Sequence, residues 1–160
     1  MRPEPTRKIH RKALTVWRIS SSINALVFLA IIVGLFVVII RNDWPMWPAY
    51  IGLGLFVLYA ILNIWLLPAM RWKRWRYDVH EHEIDLQRGI FVKQRTLVPM
   101  VRVQHVDTRQ GPILKRYKLS TVIISTAATI HEIPALGEEE ADQVRDYISK
   151  LARVTDDDDI

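Results

Sequence analysis

The chain has 160 residues, of which 50% are hydrophobic and none is cysteine. That length allows about one ordinary domain, and the absence of cysteine excludes disulfides, thiol catalysis and cysteine-ligated metal. The formal net charge is +5, but no charged side chain occurs in residues 19–40 or in residues 44–70. The composition therefore indicates a membrane segment that is joined to a polar domain.

The two charge-free stretches are long enough to cross a bilayer. As helices they would extend about 33 Å and about 40 Å, against a hydrocarbon core of about 30 Å. A cleaved signal peptide is the alternative for the first stretch, but its apolar run is longer than the usual h-region and no Ala-x-Ala site follows it. We therefore predict a transmembrane helical hairpin over residues 19–70, with helices at 19–40 and 44–70.

Flanking charge predicts the orientation of this hairpin. Only residues 41–43 separate the two apolar stretches, so the helices must run antiparallel and leave both chain termini on one side. Basic residues precede the first stretch and follow the second, whereas Arg41 is the only basic residue of the connecting loop. Short segments rich in Lys and Arg stay in the cytoplasm. We expect a multi-pass membrane protein, with both termini cytoplasmic and residues 1–18 as a basic N-terminal segment.

Two sets of residues in the membrane segment have predicted roles. Tryptophans and basic residues near the helix ends are expected at the membrane interface, where an indole ring is buried and its N–H stays hydrated; they are Trp17, Arg71, Trp72, Lys73, Arg74, Trp75 and Arg76. Asn24 and Asn63 lie at similar depth and are expected to hydrogen-bond across the hairpin. Ala30 and Gly34 form a small-xxx-small pair that lets the second helix or a neighbouring subunit approach closely. All four are predicted to serve helix packing, and none to line a pathway.

Residues 71–154 have the alternating pattern of β-strands. The first two strands form a hairpin around residues 80–83, and the later strands are predicted over Phe91–Val98, Val101–Val106, Thr121–Thr126 and Ala127–Ile133. Gly111 and Pro112 interrupt the pattern and predict a short helical or irregular crossing.

The last element of the domain is predicted to be an amphipathic helix. Its apolar residues recur at helical spacing after three glutamates that favour a helix N-terminus; they are Ala141, Val144, Tyr147, Ile148 and Leu151. The fold class is a membrane α-helical hairpin followed by a mainly β barrel of six or seven strands with one C-terminal helix. Residues 155–160 form an acidic tail, which is expected to be disordered.

The motifs of this chain follow one another in a specific order. Two helices precede Arg76-Tyr77, Gly89, Leu97-Val98-Pro99, Val101 to Val106, Gln110-Gly111-Pro112, Tyr117 to Leu119 and Ser125-Thr126-Ala127. In this order they resemble the YdbS-like bacterial pleckstrin-homology (PH) family, over nearly the whole chain. The resemblance implies a PH-like barrel capped by a helix, with no catalytic activity. Phosphoinositide-binding members of the wider fold have a basic first hairpin loop; here that loop is His80-Glu81-His82-Glu83, so phosphoinositide binding is not expected.

No constellation in the sequence indicates catalysis. His80 and His82 have i, i+2 spacing and could share a metal with a neighbouring glutamate, but a solvated turn is the better interpretation. His105 and His131 have no nucleophile or second histidine at an informative spacing. Neither a Walker loop nor a dinucleotide fingerprint is present. We predict that the protein is not an enzyme and that it binds neither a cofactor nor a metal.

Charge is distributed unevenly along the polar domain. Residues 71–118 contain twelve basic and five acidic residues, whereas residues 119–160 contain three basic and ten acidic ones. Four cations lie too far along the chain to control topology, and we predict that they bind lipid headgroups or an acidic protein segment; they are Arg109, Lys115, Arg116 and Lys118. Nucleic acid is not an expected partner, because residues 71–160 are neutral as a whole.

Together with the resemblance, these observations predict a non-enzymatic binding or scaffold protein that is anchored in the bacterial inner membrane and exposed to the cytoplasm. Envelope maintenance or tolerance of stress and antimicrobials is the expected setting. The expected partners are the lipid bilayer and either a second copy of the chain or a related membrane protein, since an open sheet edge offers unpaired backbone groups. The alternative is an accessory subunit of a membrane transport or export complex.

Overall fold

The computed structural model describes residues 3–157 of the chain. These residues fall into two compact units. Residues 14–70 form a helical unit. The described residues on either side of it, 3–13 and 71–157, together form a second unit, called here the β domain.

Two helical stretches, Ala13–Arg41 and Trp47–Arg74, are long and apolar enough to cross a membrane. The first is a single helix, α1 (Ala13–Arg41). The second consists of α2 (Trp47–Ala60), a π-helical segment (Ile61–Leu66) and α3 (Leu67–Arg74). The prediction of two apolar helices is confirmed, although each helix continues into the polar sequence at its outer end.

Aromatic contacts join the two arms of the helical hairpin. The ring centroids of Phe28 and Tyr59 are 5.1 Å apart. Nearer the connecting loop, those of Phe36 and Tyr50 are 6.4 Å apart, and both pairs have the edge-to-face geometry that aromatic rings favour. Residue numbers increase from Phe28 to Phe36 along α1, while those of their partners decrease from Tyr59 to Tyr50, so the two arms run antiparallel.

The packed face of α1 follows a coiled-coil period. From residue 25 onward, the less exposed positions of α1 recur at alternating steps of four and three; they are Ala25, Leu29, Ile32, Phe36 and Ile39. This spacing keeps one narrow stripe of a helix against its neighbour. Ala30 and Gly34 lie off the stripe.

The β domain contains seven strands in two antiparallel sheets. The first sheet has the order β1-β2-β3-β4, with strands Arg7–Lys8, Arg76–Val79, Glu83–Arg88 and Gln94–Pro99. The second has the order β5-β6-β7, with strands Val103–Arg109, Leu119–Thr126 and Ile130–Gly137. A 3₁₀ turn (Met100–Arg102) links the sheets, and α4 (Pro112–Arg116) links β5 to β6.

The predicted fold class is confirmed, but the barrel is not closed. Within residues 3–157, β4 and β5 do not pair with each other. The 3₁₀ turn between them follows Pro99, which has no backbone N–H to continue a ladder. On the opposite side, a single backbone hydrogen bond from His10 N to Ala135 O, 3.1 Å long, bridges from the chain after β1 to β7. The result is two antiparallel sheets with open edges.

The N-terminal arm, defined as residues 3–13, is part of the β domain. Within it, β1 pairs with β2 in the register Arg7 with Tyr77 and Lys8 with Arg76. Pro5, Ile9 and Ala13 are buried. The domain is therefore discontinuous, because the helical hairpin is inserted between its first two strands. The sequence interpretation had treated residues 1–18 as a separate segment, since two adjacent charged residues give no sign of a strand.

The predicted C-terminal helix is present as α5 (Glu138–Asp157), and it packs against the second sheet and the 3₁₀ turn. Ala141, Val144 and Ile148 are buried, whereas Tyr147 of the predicted apolar stripe is exposed. The Tyr77 hydroxyl donates a hydrogen bond to Glu140 Oε1 at 2.9 Å and ties β2 to this helix. The predicted acidic tail was expected to be disordered from residue 155, but α5 continues to Asp157, and residues 158–160 lie outside the described residues.

Candidate functional site

Four cations, Arg109, Lys115, Arg116 and Lys118, form what is called here the basic surface. Arg109 is the last residue of β5, and the three others occupy the end of α4 and the turn after it. Lys118 has a φ of 54°, a left-handed conformation that returns the chain toward β6. All four side chains are exposed.

The cations of the basic surface have few acidic partners. Arg109 Nη1 lies 3.6 Å from Glu132 Oε1, and these side chains are 70% and 50% exposed. Such an exposed pair contributes little stability. Among the side chains of residues 3–154, no carboxylate lies within ion-pair distance of Lys115, Arg116 or Lys118. Their charge is therefore available to a partner.

The backbone segment that presents these cations is held in place by hydrogen bonds that do not involve the cationic side chains. Gln110 Nε2 donates to Leu119 O at 2.9 Å and to Glu138 Oε1 at 2.5 Å. The backbone N–H of Glu138 donates to Lys118 O at 3.2 Å. The segment is thus fixed to β6 and to the start of α5, so binding to it would not require the backbone to be ordered first.

The predicted membrane-interface residues have diverse environments. Arg71, Lys73 and Arg74 are exposed, and Trp17, Trp72 and Arg76 are half-buried. The Trp72 ring centroid lies 5.9 Å from Lys8 Nζ, which is at the outer limit of a cation–π contact. Trp75 differs from the prediction, because its side chain is 4% exposed and belongs to the core. An interface role for the other six stays a prediction.

The four predicted packing residues are not brought together. Asn63 lies in the π-helical segment, and its Nδ2 donates to Tyr59 O at 3.0 Å within the same helical arm. Asn24 is exposed, and no hydrogen bond joins it to Asn63 among the described residues. Ala30 and Gly34 are exposed too, and a Cβ at Gly34 would meet nothing within 4 Å. The small-residue pair therefore faces away from the second arm.

A buried ion pair that the sequence interpretation missed lies in the first sheet. Asp85 is paired in register with Asp78, so two acidic residues face each other across β2 and β3. Arg95 Nε lies 3.0 Å from each carboxylate oxygen of Asp85, and Arg95 Nη2 donates to Pro3 O at 2.8 Å. Asp78 accepts hydrogen bonds from Thr6 N at 2.7 Å and from Thr6 Oγ1 at 3.0 Å. These contacts fasten the N-terminal arm to the sheet.

A groove of about 410 Å³ lies between the end of β4, the 3₁₀ turn and the β6–β7 turn. Burial, and then the nearby Arg88, lower the pKa of His131, which lines the groove. No carboxylate lines it beside this histidine, so no acid–base pair is formed there. Among the side chains of residues 3–154, no three His, Asp or Glu groups are placed so that they could hold a metal ion.

Comparison with known proteins agrees with this architecture. The model of the bacterial PH domain family matches residues 22–152. The chain belongs to the bacterial PH domain family. It is 53% identical to the UPF0699 transmembrane protein YdbS of Bacillus subtilis (strain 168), over 99% of each chain. It is also 29% identical, over 100 residues, to the UPF0699 transmembrane protein YdbT of the same organism. The aligned region covers 59% of this chain and 20% of that protein.

Membership of the bacterial PH domain family confirms the resemblance that the motifs indicated. The named relatives are described as transmembrane proteins, which together with the two apolar helices supports a membrane location. No solved structure matches the chain. The β domain is called the PH-like domain from this point.

Proposed function

We propose that this protein is a non-enzymatic binding module, anchored by its helical hairpin with the PH-like domain in the cytoplasm. In this proposal the basic surface recruits an acidic protein segment. One observation supports it most directly: Lys115, Arg116 and Lys118 are exposed on a fixed segment without a carboxylate at ion-pair distance in the described chain.

The surroundings of these cations favour a protein partner over lipid. No large exposed apolar side chain lies between Arg109 and Lys118 among the described residues. Peripheral contact with a bilayer usually combines cations with apolar side chains that enter it. A surface that consists of cations without apolar side chains suits a polar, acidic protein segment. Complementary charge of this kind increases the rate and the selectivity of binding.

A second copy of the protein is one possible source of that acidic segment. Residues 119–160 contain ten acidic and three basic residues, opposite in sign to residues 71–118. Contact between unlike halves of two copies would weaken as salt increases, because exposed charges are screened. The other source is a different membrane protein, such as a larger relative that contains a similar segment.

Affinity purification from native membranes tests the proposal. The test variant reverses three charges, Lys115→Glu, Arg116→Glu and Lys118→Glu. A matched control reverses Lys150 and Arg153, which are exposed cations on α5. We expect the test variant to lose a salt-sensitive partner that the wild type and the control both retain.

Three outcomes of this purification are informative. A differently tagged copy that is lost with the test variant would identify self-association as the source. An unrelated acidic protein lost in the same way would identify a recruited partner. Equal recovery of all partners by the wild type and both variants would contradict a binding role for the basic surface.

The physiological setting has its own test. A strain that lacks the gene should be restored to normal tolerance of envelope stress by the wild-type protein and the Lys150 and Arg153 control. The test variant should not restore it. Full complementation by that variant would show that the basic surface is not required for tolerance of envelope stress.

A further inference from the structure

The loop between β3 and β4, residues 89–93, exposes two large apolar side chains at its tip. Phe91 is 79% exposed and Val92 is 80% exposed, the highest values among the large hydrophobic residues of the described chain. Gly89 has a φ of 121°, and a Cβ at this position would lie 1.9 Å from Val92 O. The glycine therefore permits a tight loop conformation that another residue could not adopt.

Strand register locates the tip within the first sheet. Arg76, the first residue of β2, pairs with Gln87, and the last rung before the loop joins Arg88 to Gln94. The tip therefore projects from the end of the sheet at which β2 begins. The β2–β3 turn at residues 80–82 lies at the opposite end.

Chain connectivity relates this end of the sheet to the membrane. The second candidate span ends at Arg74, and β2 begins two residues later at Arg76. Two residues extend at most about 7 Å. The end of the sheet that carries the tip is thus the end that is tethered to a membrane-spanning helix.

Cations surround the tethered end. A depression of about 260 Å³ is lined by Glu4, Lys73, Arg74, Arg76, Gln87 and Lys93. Its one carboxylate, Glu4, forms an ion pair with Lys93, and Lys93 also lowers the pKa of Glu4. Arg88, immediately before the loop, adds another exposed cation. The depression therefore keeps a positive charge.

We propose that the tip and the depression form a second contact with the bilayer, beyond the helical hairpin. Phe91 and Val92 enter the boundary between headgroups and acyl chains. Anionic lipid headgroups occupy the depression, where the cations that receive them are Lys73, Arg74 and Arg76. This contact fixes the tilt of the PH-like domain on the membrane and is independent of the basic surface.

Lipid is favoured over a protein occupant for two reasons. An anionic leaflet attracts cations held close to it, with roughly a fivefold gain in the bound population per Lys or Arg. Apolar side chains flanked by cations are also the usual composition of segments that lie in the interface. Both features coincide here at the tethered end.

The absence of cysteine from the chain allows a specific test with single labels. The full chain carrying Val92→Cys is labelled with an environment-sensitive NBD fluorophore and reconstituted in vesicles that contain phosphatidylglycerol with brominated acyl chains. The matched control carries the label at Glu81→Cys, an exposed position in the turn at the opposite end of the sheet. We expect a blue-shifted emission and strong quenching at position 92 and neither effect at position 81.

Two further comparisons separate the apolar and the ionic contributions. Adding Phe91→Ser should reduce the quenching at position 92 several-fold, and vesicles of phosphatidylcholine alone should reduce it as well. Equal water exposure at positions 92 and 81 in anionic vesicles would overturn the proposal. Burial of the label only in native membranes, together with a crosslink to a protein, would also overturn it and identify a protein occupant.

Discussion

Replacing Arg95 by methionine should destabilise the PH-like domain strongly, because Asp85 would lose its counter-ion. The Asp85 side chain is only 4% exposed, while that of Arg95 is 29% exposed. Removing one partner of a buried ion pair costs about 3–5 kcal/mol. Because Arg95 is partly hydrated, we expect about 3 kcal/mol, at the lower end of that range. A small domain is stable by only about 5–15 kcal/mol, so this loss is a large fraction of the total.

Pulse proteolysis of the full chain in mild detergent, across a urea series, measures this effect. With an m-value of about 1.5 kcal/mol/M, a loss of about 3 kcal/mol lowers the unfolding midpoint by about 2 M. Lys93→Met is a suitable control, because Lys93 and its partner Glu4 are about half exposed, at 50% and 52%. That substitution should change the stability by less than about 1 kcal/mol.

A double substitution distinguishes a lost counter-ion from lost packing. Asp85→Leu combined with Arg95→Met replaces the ion pair by apolar side chains, a change that is often neutral or stabilising. We expect the double variant to regain most of the stability that Arg95→Met loses. The reasoning would be refuted if Arg95→Met resembled the wild type, or if the double variant were as unstable as Arg95→Met.

Further predictions concern the N-terminal arm, a buried tyrosine and the topology. Ile9→Ala should cost about 2 kcal/mol or more in the same urea assay, because Ile9 is buried in the PH-like domain; an unchanged midpoint would show that the arm is not docked. Burial, and then the hydrogen bond to Glu140, raise the pKa of Tyr77, so its contribution to stability is complete below about pH 10 and is lost as the pH rises further. The loss of stability between pH 9 and pH 11 should therefore be smaller in Tyr77→Phe than in the wild type, and equal losses would argue against the shift. In intact cells, an impermeant thiol reagent should label Asn42→Cys but not Glu81→Cys; the reverse result would invert the proposed topology.

Elements with a strong local pattern were predictable from the sequence. The β-branched run of residues 121–126 forms most of β6, and the helical spacing of Ala141, Val144 and Ile148 identified the buried face of α5. The apolar hairpin was similarly clear, since two charge-free stretches longer than 20 residues have few alternatives. In each case, a single physical signal extends over a full element.

Features that depend on distant contacts were not predictable. The strand Arg7–Lys8 has no apolar alternation, and it forms because β2 offers it an edge some 70 residues later. Phe91 was assigned to a strand, but Gly89 turns the chain and β4 begins only at Gln94. Trp75 was predicted at the membrane interface, because a tryptophan just after a membrane helix suits either the membrane interface or the core of the following domain.

The sequence predicted which residues form the candidate site, but not how they are arranged in space. The sequence identified four cations around Gly111 and Pro112, and the structure adds that Gln110 and Glu138 fix the segment that presents them. The ion pair of Asp85 with Arg95 was missed because a strand of alternating charge resembles a solvated face. Which cations lack partners could be determined only from the folded chain.

Photocrosslinking in native membranes determines whether the basic surface binds a protein. A photoreactive amino acid replaces Arg116 in the middle of the basic surface, and a matched protein carries it at Lys150 on α5. If the basic surface binds an acidic segment, position 116 should yield a discrete crosslinked protein that is absent from position 150 and decreases in high salt. Only uncrosslinked monomer from position 116, or the same products as from position 150, would rule out this binding role.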